Sequence, residues 1–573
     1  MILRTLHIAS RSLLAQQKAI DVVSQNVANV NTPGYSRQSP KLASDAPDKI
    51  GGHNFGNGVS LSNISRSADH LLQLAQIRSG SLTAFSQTLH KGLANVEAVF
   101  GNLDSPGLTN TIDAFFSAQQ QLANSPQDPI ARLDLRSRAN DLTITISGMQ
   151  ERILQRQQSA DLEIEPVLNQ INSLLSHIAQ LNKNIMRSES SNKLAGGAND
   201  LRDQRDIAIL QLAKLIPVQQ VTTNNGGLLL QTAGGDLLVG GDVARSLTTG
   251  VIAGSSFKSV IFADNGQPAS GFEDGGQLGA LMSLRDSKLA GYNQLLDSLA
   301  KNLIFSVNQL HSGGTGSISV TKYVSELASG NPAAAVNSDV NIPFASNIID
   351  GKFTVHVLDA NPPTNPGGID INIIAGTTSL NQIAADISAI PGVTATVDAL
   401  GHLTIDGGAN RIVFGNDTSN FLAAYEINTF FHGGNASNIS VSAAIQNDVS
   451  LISTAAADNT TSSVAQSDNS IALEILALRD QAVSVDGTTP SNLVERGALL
   501  ASTYGLDIAA SKQRLSFREA EALSISNQQK AVSGVNLDEE LVNMMVFQRA
   551  YEASAKVIQS SNEMLSSLMA LIR

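Results

Sequence analysis

Apolar residues recur at intervals of seven at both ends of the chain, and this constrains the fold more than any other feature. Near the start they are Leu6, Leu13, Ile20 and Val27. Near the end they are Met544, Tyr551, Ile558, Leu565 and Ile572, flanked by Ala550, Val557, Met564 and Leu571. Seven residues are close to two helical turns, so each stripe lies along one face of a helix and asks for a partner helix at a shallow angle. Asn29-Val30-Asn31-Thr32-Pro33-Gly34 stops the first helix, because Pro33 disfavours helical backbone before it and Pro-Gly favours a turn. Gly534-Val535-Asn536-Leu537-Asp538-Glu539-Glu540 precedes the second. Asn536 or Asp538 can cap it, with acids in the first turn where the helix dipole favours them. Termini fray unless something holds them, so the two helices are expected to pair with each other or with neighbouring subunits.

A third stripe runs through Ile164, Ile171, Ile178 and Ile185, with Pro166 expected to kink or start its helix. Between about 216 and 270 the pattern changes to short apolar runs, Leu228-Leu229-Leu230 and Leu237-Leu238-Val239, punctuated by Gly-Gly and read as hairpins. Helical pattern returns over 273–312. Residues 316–450 then alternate with period two at Phe353–Val357, Ile369–Ile373, Val393–Val397 and Leu403–Ile405, with a short helix near Leu380–Ile387. Helical pattern resumes after about 468. The fold class expected is therefore α+β and multidomain, with coiled-coil-like terminal helices, a long helical bundle and an inserted β-rich outer part. The expected divisions are 1–40 with 534–573, 41–315 with 467–533, and 316–466.

The chain has 573 residues, too many for one ordinary core. Charged residues are only 15%, against roughly 25% in average globular proteins. Surfaces rich in Ser, Asn, Gln and Thr can dock without desolvating many ions. The net charge is −13 and no basic cluster stands out, which argues against nucleic acid. Cysteine is absent, excluding disulfides and thiolate metal sites. No run suits a membrane span, and the first residues lack the apolar core and cleavage site of a Sec signal, so any export is expected to proceed without a cleaved signal.

No catalytic motif, metal set or cofactor loop is convincing, and neither an enzyme nor a cofactor is expected. Ser298-Leu299-Ala300-Lys301 and Ser467-Asp468-Asn469 match two penicillin-binding elements, but the third, K-T-G, is missing. The nine histidines show no ligand spacing and are expected at or near the surface, with His7 alone placed on an interfacial helix. Asp359, Asp370, Asp398, Asp406 and Asp417 are expected to serve turns rather than calcium.

Ser24-Gln25-Asn26-Val27-Ala28-Asn29-Val30-Asn31-Thr32-Pro33-Gly34-Tyr35 resembles the N-terminal signature of the bacterial flagellar axial proteins, the rod, hook and hook-associated family. Val535-Asn536-Leu537-Asp538-Glu539-Glu540-Leu541, with Gln548-Arg549-Ala550-Tyr551, resembles its C-terminal one. Tyr35-Ser36-Arg37-Gln38, Asn199-Asp200-Leu201-Arg202-Asp203-Gln204-Arg205-Asp206 and Gly275-Gly276-Gln277-Leu278-Gly279 with Arg285-Asp286 are similar to the hook–filament junction branch. So are Phe115-Phe116, Asp128-Pro129 with Ala131-Arg132, and Asp417-Thr418-Ser419 through Ile427-Asn428-Thr429-Phe430-Phe431. The resemblance implies a structural subunit exported through the flagellar type III channel and assembled extracellularly at the distal end of the hook. It implies paired terminal helices in an inner tube, unstructured before assembly. The stripe residues would form the assembly interface, and Asn29, Asn31, Thr32, Pro33, Gly34, Tyr35, Asn536, Leu537, Glu539 and Glu540 the family motif. Implied partners are further copies of the chain in a ring, the hook protein, the second junction protein (hook-associated protein 3) and an export chaperone on the C-terminal region, with no membrane insertion. A hook or distal-rod protein is the alternative within the family. A secreted adhesin or hydrolase with flagellar-type ends is the alternative outside it.

Overall fold

The computed structural model describes residues 2–50, 53–100, 107–191, 197–222, 228–251, 257–358, 368–458, 464–465 and 467–571. Ile572 and Asp359 lie outside the described residues. In chain order the helices are α1 (Ile2–Ala28), α2 (His70–Phe100), α3 (Leu108–Asn124), α4 (Pro129–Ser191), α5 (Asn199–Leu215), α6 (Gly276–Ser283), α7 (Ala290–His311), α8 (Leu380–Ser388), α9 (Phe421–Ala424), α10 (Ala443–Asn447), α11 (Ser470–Ala477), α12 (Leu493–Ser533) and α13 (Leu537–Leu571). A π-helical turn, Leu284–Leu289, joins α6 to α7. Among the described residues, no helix is long and apolar enough to cross a membrane. The chain is α+β and multidomain, with long terminal helices and several small antiparallel sheets.

Contacts divide the chain into two compact units: residues 1–92, 159–285 and 509–573, and residues 93–158 and 286–508. The terminal helices and the β part near 216–270 fall in the first unit, and 316–466 falls in the second.

In the first unit α1 packs on α13, and Gln38–Ser44 pairs antiparallel with Val59–Arg66. Its core joins α4, α5 and the strands between 218 and 262. Ile164, Ile171 and Ile178 are buried there, alongside Ile209, Leu212, Leu230, Leu238 and Phe262, and Ile185 is buried further along α4. Pro166 sits inside α4, so it does not start the helix, which corrects that half of the sequence expectation. Gly276 has φ +68°, and a Cβ there would lie 2.4 Å from the Leu215 carbonyl oxygen, so the Gly-Gly run lets the start of α6 close onto the end of α5.

The second unit contains two three-stranded sheets, in the orders Ile369–Ile373, Gly351–Leu358, Arg411–Gly415 and Lys322–Val324, Leu403–Asp406, Thr394–Val397. Its core is aromatic. Phe115, Phe116, Phe430 and Phe431 form edge contacts with one another, Phe430 also meets the His311 ring edge-on, and Phe353 stacks on Phe421 at 5.6 Å. Arg132 is 2% exposed and ties α4 to the 452–454 segment, donating to the Ile452 carbonyl at 2.5 Å and to the Thr454 hydroxyl at 3.2 Å. His311 and His356 are fully buried, which corrects the expectation that the histidines stay near the surface.

The residues singled out for chemistry are occupied by packing. The Ser298 hydroxyl accepts from Arg496 at 2.9 Å, Asp468 accepts from the Ala456 N–H at 2.8 Å, and Asn469 donates to the Ala123 carbonyl at 2.6 Å. Asp398, Asp406 and Asp417 accept backbone N–H groups two residues on, and Asp370 pairs with Lys352.

Candidate functional site

Pairing of the two terminal helices builds the site, which lies wholly within the first unit. The Ser12 and Ser554 hydroxyls meet at 2.9 Å and Asn26 meets Glu540 at 2.9 Å, so α1 and α13 run antiparallel. The buried seam of α1 is Ala9, Ala15, Gln16, Ala19, Val22, Val23 and Asn26. On α13 it is Glu540, Ser554 and Ser561. These small and polar residues let the backbones approach closely. The apolar stripes flank the seam: Leu6, Leu13, Ile20, Val27, Met544, Tyr551 and Ile558 are half-buried, and Leu565 is 37% exposed. His7 is exposed. The stripes are therefore partly covered within one chain.

Asn26 is the centre of the polar contacts. Its amide donates to the Gln38 carbonyl at 2.8 Å and to Glu540 Oε2 at 2.9 Å. Its oxygen accepts from the Tyr35 hydroxyl at 2.9 Å and from the Gln38 N–H at 2.9 Å. All four hydrogen-bonding positions of a buried amide are thus filled. Arg37 completes the join, with Nε 2.7 Å from Glu540 Oε1 and Nη1 2.9 Å from Glu539 Oε2. Glu540 reaches these partners because Asn536 caps α13, its side chain accepting from the Asp538 N–H at 3.0 Å, which fixes the first turn.

The third contributor is α5, where spacing by three puts Asp200, Asp203 and Asp206 on one face. Asp203 accepts from the Ser36 N–H at 3.1 Å and pairs with Arg66 at 2.8 Å, Asp206 pairs with Arg66 at 2.7 Å, and Asp200 accepts from Gln38 Nε2 at 2.8 Å. Burial pushes the Tyr35 hydroxyl up to about 12, with help from the carboxylates of Asp200, Asp203 and Glu540, so it stays a proton donor to Asn26. Burial also raises the Asp203 carboxyl, against the opposing effects of Ser36 and Arg66.

The turn after α1 is built by its own residues. Thr32 bonds back to Asn29 through its N–H and hydroxyl, and Gly34 takes φ +80°. A Cβ on Gly34 would lie 2.5 Å from Ile207 of α5, so the turn needs glycine both for its backbone and for its approach to that helix. Asn29, Asn31, Thr32, Pro33, Gly34 and Tyr35 line a cleft of about 660 Å³ with Asp203, Ile207, Gln529 and Lys530. Asn536, Leu537 and Glu539 are exposed, and Glu540 is buried.

The network joins the expected motif residues Tyr35, Asn536, Glu539 and Glu540. The sequence reading assigned no role to Asn26, Arg37, Gln38, Arg66 or Asp203. Only the motif resemblance and the three-residue Asp spacing hinted at them. Beyond the seam, α13 exposes Leu541, Val542, Met545, Val546, Val557, Met564, Leu568 and Met569, each at least 43% accessible, and α1 exposes Leu3 and Leu14. An apolar stripe of this extent on one helix marks a surface made to be covered.

Comparison with known proteins gives a consistent picture. Residues 93–319 match the family model described as flagellar hook-associated protein FlgK helical domain. Residues 6–35 match that of flagella basal body rod protein, and 528–571 that of flagellar basal body rod FlgEFG protein C-terminal. Flagellar hook-associated protein 1 of Salmonella typhimurium is 27% identical, covering 98% of both chains, and that of Escherichia coli K12 is 26% identical with the same coverage. A solved flagellar hook junction protein FlgK from Burkholderia pseudomallei is similar over 81% of this chain and 100% of its own, at 19% identity and TM-score 0.49.

Proposed function

Because the chain belongs to the flagellar hook-associated protein 1 family, we propose that it is a structural subunit of the bacterial flagellum that forms the hook–filament junction and permits filament assembly on the hook. The observation that carries this reading is the paired terminal helices, held in register by Asn26 and Glu540 while α13 keeps an apolar face outward. That face is the assembly interface, together with the stripe residues beside it, and it is covered by further copies of the chain in a ring. The hook protein lies below the ring and the second junction protein above it. An export chaperone covers the C-terminal region before assembly. The chain acts outside the cell and has no catalytic role. The terminal helices form an inner tube.

Deletion of the gene tests the reading. Electron microscopy should find hooks without filaments, and filament subunits should accumulate in the medium. Normal filaments would refute the junction role, and loss of the hooks themselves would move the assignment to a hook or distal-rod protein.

A further inference from the structure

In the second unit, two segments far apart in sequence, one carrying Glu326 and the other Glu426 and His432, bring these three residues together. One ligand atom from each lies within 4.8 Å of the others. Each carboxylate is oriented in the same way. Glu426 uses Oε1 to accept the Gly433 N–H at 2.9 Å and turns Oε2 to His432 Nδ1 at 2.5 Å. Glu326 uses Oε1 to accept the Ala443 N–H at 3.1 Å and turns Oε2 to the same nitrogen at 3.3 Å. Backbone donors thus fix both carboxylates so that one oxygen of each converges with an imidazole nitrogen, the outer-shell arrangement that protein metal sites use. The Glu426 side chain is fully buried, whereas His432 is 37% accessible, so an ion can enter from the His432 side and keep a water ligand there.

Charge makes the same case independently. Even a protonated imidazole supplies one positive charge against two carboxylates, and among the described residues neither carboxylate pairs with Lys or Arg. A buried, uncompensated negative charge is costly. A divalent cation in place of the proton brings the set to neutrality. Zinc-type ions bind imidazole nitrogen and carboxylate oxygen at about 2.0–2.2 Å, which sets tetrahedral ligand atoms roughly 3.4 Å apart; the Glu326–His432 separation of 3.3 Å already suits an ion, and the Glu426–His432 contact of 2.5 Å opens to admit one. Calcium and magnesium call for more oxygen ligands than this set offers.

We propose that Glu326, Glu426 and His432 form a site for a divalent transition-metal ion of the zinc class, which clamps the segment carrying Glu326 to the 426–432 stretch.

The test is calorimetric titration of the full, chelator-treated chain with zinc chloride, alongside melting curves with zinc and with calcium. One zinc ion per chain should bind and raise the melting temperature, with calcium inert. His432→Gln and Glu326→Gln, both at accessible positions and expected to fold, should each weaken zinc binding by roughly 10–100-fold or more. Failure of the wild-type chain to bind zinc would overturn the proposal. So would binding unchanged in both variants, which would place the ion at another histidine, or an equal response to calcium. Melting of the zinc-free variants at the wild-type temperature verifies that they fold.

Discussion

On α4, Ile164, Ile171, Ile178 and Ile185 are at most 5% exposed, whereas on α1 and α13 the equivalent stripes are only half-buried and Leu565 is 37% exposed. All three stripes have the same period. They differ in how many elements close over them: α4 is covered by α5 and the strands between 218 and 262, while α13 packs on α1 and leaves its far side open. A seven-residue period fixes which face is apolar. It does not say whether that face is closed within the chain or awaits another one.

The sharpest way to break this contrast is a charge at each stripe. Ile171→Asp puts a carboxylate in a closed core and should cost more than about 4 kcal/mol, enough to leave the first unit unfolded in a urea titration. Tolerance of that change would mean the α4 stripe is as open as the terminal ones.

Acid probes the interior of the second unit. Burial lowers the His311 pKa to about 4, opposed by its bond to the Asn428 carbonyl and aided by Arg132. The ring fits as a neutral group, donating from Nδ1 to Asn428 and accepting the Ser453 N–H at Nε2. Between the unfolded value of about 6.5 and the folded one, the unfolded chain binds the extra proton, so stability falls as pH falls through this window and is flat above it. The loss should reach about 3 kcal/mol near pH 4. It should be absent in a folded His311→Gln variant followed by calorimetry.

Glu540→Ala removes the shared partner of Asn26 and Arg37 and should cost about 2 kcal/mol. The loss should appear in hydrogen exchange as faster opening of α1 and the first turn of α13, while α4 keeps its protection. The smallest effect on the single chain belongs to Leu568→Asp, at a position 49% exposed, which should change stability by no more than about 0.5 kcal/mol. Motility and ring formation should nonetheless fail, and normal swimming by that strain would show that the face stays uncovered.

Much of the fold was legible beforehand because it rests on local patterns. The strands at Phe353–Val357, Ile369–Ile373 and Leu403–Ile405 and the helix near Leu380–Ile387 all appear, each announced by its own periodicity and turn residues. The site was legible only in outline. Asn29 to Tyr35 and Asn536 to Glu540 were marked by resemblance, but the seam between the helices was not, because Ala9, Gln16, Ala19, Ser554 and Ser561 do not register in a search for apolar residues.

By itself the sequence determined the amphipathic faces of the terminal helices, their stops and caps, and the absence of thiol chemistry. The tertiary structure decided that Asn26 is buried, since its partner Glu540 lies 514 residues away, and that Glu326 and Glu426 meet at His432. The physical reason is the range of each interaction. Periodicity and capping act within a few helical turns and are written into neighbouring residues, whereas filling the hydrogen bonds of a buried amide or balancing a buried carboxylate depends on which distant segments the fold brings alongside.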